Sequence, residues 1–197
     1  MKSLKFSGIK LRRIGLAGVQ LEFRDTAICV DVLDASPCDV ALYTHNHPRH
    51  APSLMPGIPV FSPFAGRIVS PGEVIELRQG VKVEAVDAYN LGYKGGPIHP
   101  KGSGVGFLLS FDDSTTVYHM GDTDLVEEAL RLQNKAIGVL LVPVGGSGVM
   151  SPEEAAEAVK TLRPSIAIPV HEEDRSQLKI FKRLSQPYTQ VVLLEAA

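Results

Sequence analysis

The chain changes character halfway along, and this change limits the fold more than any single motif does. The first half reads as short strands joined by turns. Residues 19–23 (VQLEF) alternate polar and apolar side chains, the period of a half-buried strand. Residues 26–32 (TAICVDV) follow directly after Arg24-Asp25, a hairpin spacing. Residues 39–44 (DVALYT) form an apolar run that stops at His45. A proline- and glycine-punctuated loop covers 56–72. Two strands, 73–77 and 81–86, then meet across Gln79-Gly80. Beyond a glycine-rich loop at 92–106, strands 105–111 and 115–119 bracket Asp112-Asp113-Ser114 as a further hairpin.

The second half alternates strand and helix. Residues 125–132 read as a helix and 138–144 (GVLLVPV) as a buried strand. Ser151-Pro152-Glu153-Glu154 opens a helix with a capping serine, a proline at the first helical position and a glutamate that completes a capping box. Pro164 ends that helix, and 165–170 (SIAIPV) is a strand that stops at His171. A short helix over 176–184 and a strand over 190–194 follow. Strands first and strand–helix–strand units afterwards predict an α/β fold of two sheets covered by helices, an αββα four-layer sandwich. At 197 residues, one domain spanning 1–197 is expected, with no linker and no internal repeat visible.

Composition narrows the function classes. The formal net charge is −2 and no block of like charge occurs, which argues against nucleic-acid or membrane-surface partners. No stretch is long and apolar enough for a signal peptide or a spanning helix, so a cytoplasmic protein is expected. Cys29 sits in an apolar run nine residues before Cys38. The expectation is a buried thiol in a reducing compartment, without a disulfide.

The histidines carry the chemistry. His45, His47 and His50 fall within six residues, directly after a strand. Neutral imidazole is the commonest zinc donor, and a turn at a strand end can aim several rings at one point. Two distant strands end in the same way, at His119–Asp122 and at His171. These residues are expected at one rim of the sheets.

The run Thr44-His45-Asn46-His47-Pro48-Arg49-His50 resembles the HxHxDH signature of the metallo-β-lactamase superfamily. Tyr118-His119-Met120-Gly121-Asp122-Thr123-Asp124 resembles its later GD(T/S) motif, whose aspartate bridges two metals. Ile168-Pro169-Val170-His171 is similar to its last histidine motif, and residues 16–18 with 28–31 match its opening hairpin. Ala88-Tyr89-Asn90, His99-Pro100-Lys101-Gly102, residues 141–146 and residues 153–158 are similar to the short UlaG-like branch of hydrolases. The resemblance implies a metal site of His45, His47, His50, Asp122 and His171, holding zinc or manganese. It implies water activation on that metal to cleave an ester, lactone, amide or phosphodiester bond, with Asp122 and His50 in the catalytic centre.

Two positions depart from the pattern. Arg49 occupies the signature's aspartate position; a guanidinium carries a fixed charge and cannot ligate a metal. It can take a carboxylate or phosphate of a small, anionic substrate. Asn90 occupies the position where many members have a further histidine. Each metal position then keeps three ligands, and at most one tightly bound metal is expected. His99 is a candidate to fill one of these gaps, although the glycine-rich loop around it gives no readable geometry. A binding or scaffold relative with a degenerate site is the competing reading, supported by Arg49. A nuclease of the same superfamily is disfavoured by length and charge. His119 is expected in a structural role, Asp124 as a helix N-cap, Lys101 as a solvated lysine, and 172–174 as a solvated acidic turn.

Overall fold

The computed structural model describes residues 1–92, 96–112 and 115–197. Two seven-stranded sheets pack face to face. The first holds β1 (Leu4–Phe6), β2 (Ile9–Ile14), β3 (Gly18–Phe23), β4 (Thr26–Val30), β5 (Val40–Leu42), β6 (Val60–Ser62) and β7 (Arg67–Ile68). The second holds β8 (Val74–Glu76), β9 (Lys82–Asp87), β10 (Val105–Phe111), β11 (Thr115–His119), β12 (Val139–Pro143), β13 (Ile166–Val170) and β14 (Gln190–Val191). Three helices, α1 (Glu127–Leu130), α2 (Pro152–Leu162) and α3 (Arg175–Ser185), fall between the strands of the second half.

The sheets share one pairing scheme. In each, four strands form an antiparallel meander, and three more then add in parallel. The sequence carries no visible trace of this repetition. The two halves differ in their parallel connections. The second half crosses through α1, α2 and α3, whereas the first crosses through loops at 31–39, 43–59 and 63–66.

Side-chain alternation sorts the core. Leu11, Leu21, Ile28 and Leu42 from the first sheet meet Val83, Phe107, Leu109, Leu141 and Ile168 from the second. The opposite face of the second sheet, with Leu108, Tyr118, Leu140 and Val142, is covered by Ala155, Val159, Leu162 and Phe181 of α2 and α3. On the outer face of the first sheet, Cys29, Ala41 and Tyr43 pack under Val32, Ala35 and Ala51. Loops rather than helices supply that outer layer among the described residues, so the four-layer sandwich has helices on one side.

Several expectations are corrected. Cys29 and Cys38 form a disulfide, not free thiols, because the chain doubles back after β4 and brings their Cα atoms within 6.0 Å. Cysteine usage therefore lends no support to a reducing compartment. The N-terminal 14 residues, where no element is expected from the sequence, contain β1 and β2. The loop-rich stretch contains β6 and β7, each three residues or fewer. The helix read at 125–132 is one α turn followed by a 3-10 turn over Arg131–Asn134. Asp113 and Ser114 of the predicted hairpin turn, and residues 93–95 of the glycine-rich loop, lie outside the described residues. No helix among the described residues is long and apolar enough to cross a membrane.

Candidate metal centre

Parallel strands collect functional side chains at their carboxyl ends. His45 follows β5, Asp122 follows β11 and His171 follows β13; Asp31, at the end of β4, joins them from the first sheet. The His45–His50 segment closes as a tight turn, with the His50 and Ala51 amides donating to the His47 carbonyl.

Asp122 Oδ2 is the centre of the cluster. His171 Nε2 lies 3.1 Å from it, His50 Nε2 3.4 Å, and His45 Nε2 and His99 Nε2 each 3.6 Å. His47 Nδ1 stands 3.1 Å from His99 Nε2. All are buried except His47, which is half-buried. The donor atoms form a triad of His45, His47 and His99 and a triad of His50, Asp122 and His171, and a third group of Asp31, His45 and His50 overlaps both. Asp122 Oδ1 and His45 Nε2 are buried without a hydrogen-bond partner. Orphaned buried polar atoms are costly unless something satisfies them. Donors bound tetrahedrally at 2.0–2.1 Å stand roughly 3.3 Å apart, so the observed spacings suit one divalent ion shared by several of these atoms.

The rings are oriented by their other nitrogens. His50 Nδ1 donates to Asp31 Oδ2 at 3.0 Å. Thr44 Oγ1 donates to the same oxygen at 2.6 Å and accepts from His45 Nδ1 at 2.9 Å. His99 Nδ1 faces Asn90 Oδ1 and the Gly148 carbonyl at 2.9 and 3.0 Å. In each case the Nδ1 contact leaves the Nε2 lone pair turned toward Asp122, the arrangement that fixes tautomer and basicity in metal sites.

Burial and charge set the protonation states. Burial pushes the His45 pKa down to about 3, against the pull of Asp122 and Asp31, so its ring is neutral. Burial likewise lowers His99. His50 is raised: burial opposes its charge, but the hydrogen bond and charge of Asp31 outweigh it, while nearby Arg49 works the other way. Asp122 is held below the usual carboxylate range. Its burial is outweighed by the hydrogen bond from His171 and the attraction of the His50 and His171 rings.

The fold brings together His45, His47, His50, Asp122 and His171, and adds His99 with two supporting residues, Asn90 and Asp31. His99 stands among them, and Asn90, read as a lost histidine, holds it. Asn90 Oδ1 accepts the His99 amide at 2.9 Å, and Asn90 Nδ2 donates to Asp124 Oδ1 at 2.9 Å and to the Gly148 carbonyl. Asp124 is therefore no helix N-cap. Val126 occupies that position, and the Asp124 carboxylate instead accepts from Asn90 and from the Leu91 amide. Asp31 was findable, because residues 27–31 repeat the pattern of an apolar strand that stops at a ligand-type side chain. His99 carried no such signal, since no strand leads into it. His119 is structural: its Nε2 donates to the Ala17 carbonyl and its Nδ1 accepts the Gly121 amide, which leaves no free nitrogen. Lys101 pairs with Glu128 and lies over the Tyr89 ring, 4.8 Å from its centroid. Arg49 is exposed and makes no ion pair among the described residues.

The model of the β-lactamase superfamily domain matches residues 10–171. The chain belongs to this superfamily. A UPF0173 metal-dependent hydrolase of Methanopyrus kandleri is 30% identical over 68% of the chain and 66% of its own length. Another, of Thermococcus kodakarensis, is 25% identical over 95% of the chain and 96% of its own length. Matches to several other curated relatives take in less than half of those proteins. Among solved structures, Igni18, a metallo hydrolase of the archaeon Ignicoccus hospitalis, is similar with a TM-score of 0.79 and 24% identity, covering 96% of each chain. That likeness supports the fold.

Proposed function

We propose that the protein is a metal-dependent hydrolase acting on a small, anionic molecule. The observation that carries this is the convergence of four imidazole Nε2 atoms within 3.1–3.6 Å of one buried aspartate oxygen. His45, His47, His99 and Asp122 are the donors of a tight position, and zinc, or manganese in its place, is the metal proposed for it. His50, His171 and Asp122 offer a second, poorer position beside Arg49. A metal held at the tight position would supply Lewis acidity, making a water nucleophilic at neutral pH and polarising the scissile carbonyl or phosphoryl. The chain's own residues do the rest. Asp122 and the neutral His45 and His99 rings hold the donor geometry, His50 takes its orientation from Asp31, and Arg49 receives the substrate's carboxylate or phosphate at the rim.

Metal analysis of protein purified without chelator, together with a panel of ester, lactone, amide and phosphodiester substrates, tests this reading. One bound divalent metal per chain and turnover abolished by His99→Ala support it. Metal-free protein that neither takes up zinc nor turns over any substrate would favour the binding or scaffold reading, for which Arg49 is the supporting observation.

A further inference from the structure

His171 differs from its neighbours in the site. His45, His50 and His99 each have Nδ1 held by a hydrogen bond, whereas His171 Nδ1 is buried without a partner. Beyond its Nε2 contact with Asp122 and its stacking against His50, its ring is aimed by its backbone. That backbone is unusual: His171 has φ +58°, the left-handed region that non-glycine residues rarely adopt. Such a conformation persists only where the surroundings over-determine it.

Three contacts do so. The His171 amide donates to the Leu16 carbonyl at 3.0 Å. Arg13, on β2 of the opposite sheet, donates to the same carbonyl at 2.6 Å and grips the Glu172 carboxylate with both terminal nitrogens, at 2.7 and 2.6 Å. The Gly145 backbone, just past β12, packs directly against the His171 backbone, so close that a Cβ there would stand 2.5 Å from the His171 carbonyl oxygen. Arg13 is 4% exposed and Glu172 is largely covered, which corrects the expectation of a solvated acidic turn at Glu172 alone; Glu173 and Asp174 are exposed as expected. A buried ion pair adds little net stability, because desolvation offsets the attraction. The Arg13 Nε atom is moreover buried without a partner.

We propose that the Arg13–Glu172 bridge is a positioning device for His171. It ties the residue after His171 to the opposite sheet and so sets where the imidazole of one sheet meets the histidine turn of the other. The bridge does for His171 through the backbone what Asp31, Thr44 and Asn90 do for the other rings through Nδ1. This inference rests on the proposed metal reading for its functional meaning.

The test has two arms. In the first, cobalt(II) titration of wild type and Glu172→Gln is followed by visible absorption. The expected result is at least about ten-fold weaker binding of the second equivalent, with the first equivalent unchanged, as for loss of a residue that orients a ligand. Arg13→Lys, which keeps one charged donor, should recover part of the loss, and Arg24→Gln, at a surface pair, should have no effect. In the second arm, long-range proton–nitrogen correlation spectra of the metal-free proteins read the His171 ring directly. Its cross-peaks should move in Glu172→Gln while those of His45 and His99 stay in place. Unchanged His171 signals and unchanged cobalt binding would overturn the proposal. So would equal weakening of both equivalents with a matching fall in melting temperature, the mark of a merely structural pair. If wild type binds no cobalt at all, the metal reading fails instead, and the clamp stands or falls on the spectra alone.

Discussion

At the residue scale, the two positions where the sequence departs from the superfamily signature have different consequences. Asn90 costs the site nothing, because His99 enters from across the loop and Asn90 becomes its hydrogen-bond acceptor. Asn90→Ala should therefore weaken the tight metal by about 10–100-fold, the usual effect of losing an orienting partner. His99→Ala should weaken it further, because it removes the donor itself; competition against a chromophoric chelator measures both. Arg49 has no such replacement. Two divalent ions 3.5–4 Å apart depend on carboxylates to offset their repulsion, and here the second position has Asp122 as its one carboxylate donor, with Asp31 already engaged by His50 and Thr44 and a guanidinium nearby. Wild type should bind one equivalent tightly, and Arg49→Asp should raise the affinity for a second. Two tight equivalents in wild type, counted by metal analysis at modest excess, would show that Arg49 has no bearing on occupancy.

At the element scale, legibility followed the strength of local signals. α2 was readable to the residue because its start is marked by chemistry and not only by period. Ser151 accepts the Glu154 amide, Glu154 accepts the Ser151 amide, and Pro152 occupies the first turn. Ser151→Ala should cost roughly 0.5–2 kcal/mol, measured by urea unfolding, with metal binding intact. The strands that end at His45, Asp122 and His171 were readable because an apolar run broken by a ligand-type residue is rare by chance. β6, β7 and β14 were missed or overdrawn. Strands of two or three residues carry no period, and tertiary pairing alone defines them. The Cys29–Cys38 bond was illegible for a related reason: the reversal that joins them is made by the loop after β4, whose path no local pattern encodes.

At the scale of the whole molecule, the repeated strand scheme explains why one site needs the entire chain. Each half places its parallel strands so that their carboxyl ends meet at the same rim. His45, His47 and His50 come from the first sheet and its loops, and His99, Asp122 and His171 from the second. The two sheets are otherwise joined mainly by apolar contact, which is strong but non-directional. A metal held by donors from both would therefore act as a cross-link present only in the folded state, and by mass action it must stabilise the fold. At a free metal concentration 100 times the dissociation constant the gain is about 2.7 kcal/mol. For a chain of this length, each kilocalorie raises the melting temperature by about 2–4 °C, so saturation should add about 5–10 °C. Chelator should reverse the shift, and His99→Ala should abolish most of it while leaving the metal-free melting temperature close to that of wild type. A metal-independent melting temperature in wild type, across zinc and manganese, would mean that the histidine cluster does not bind metal in the folded protein.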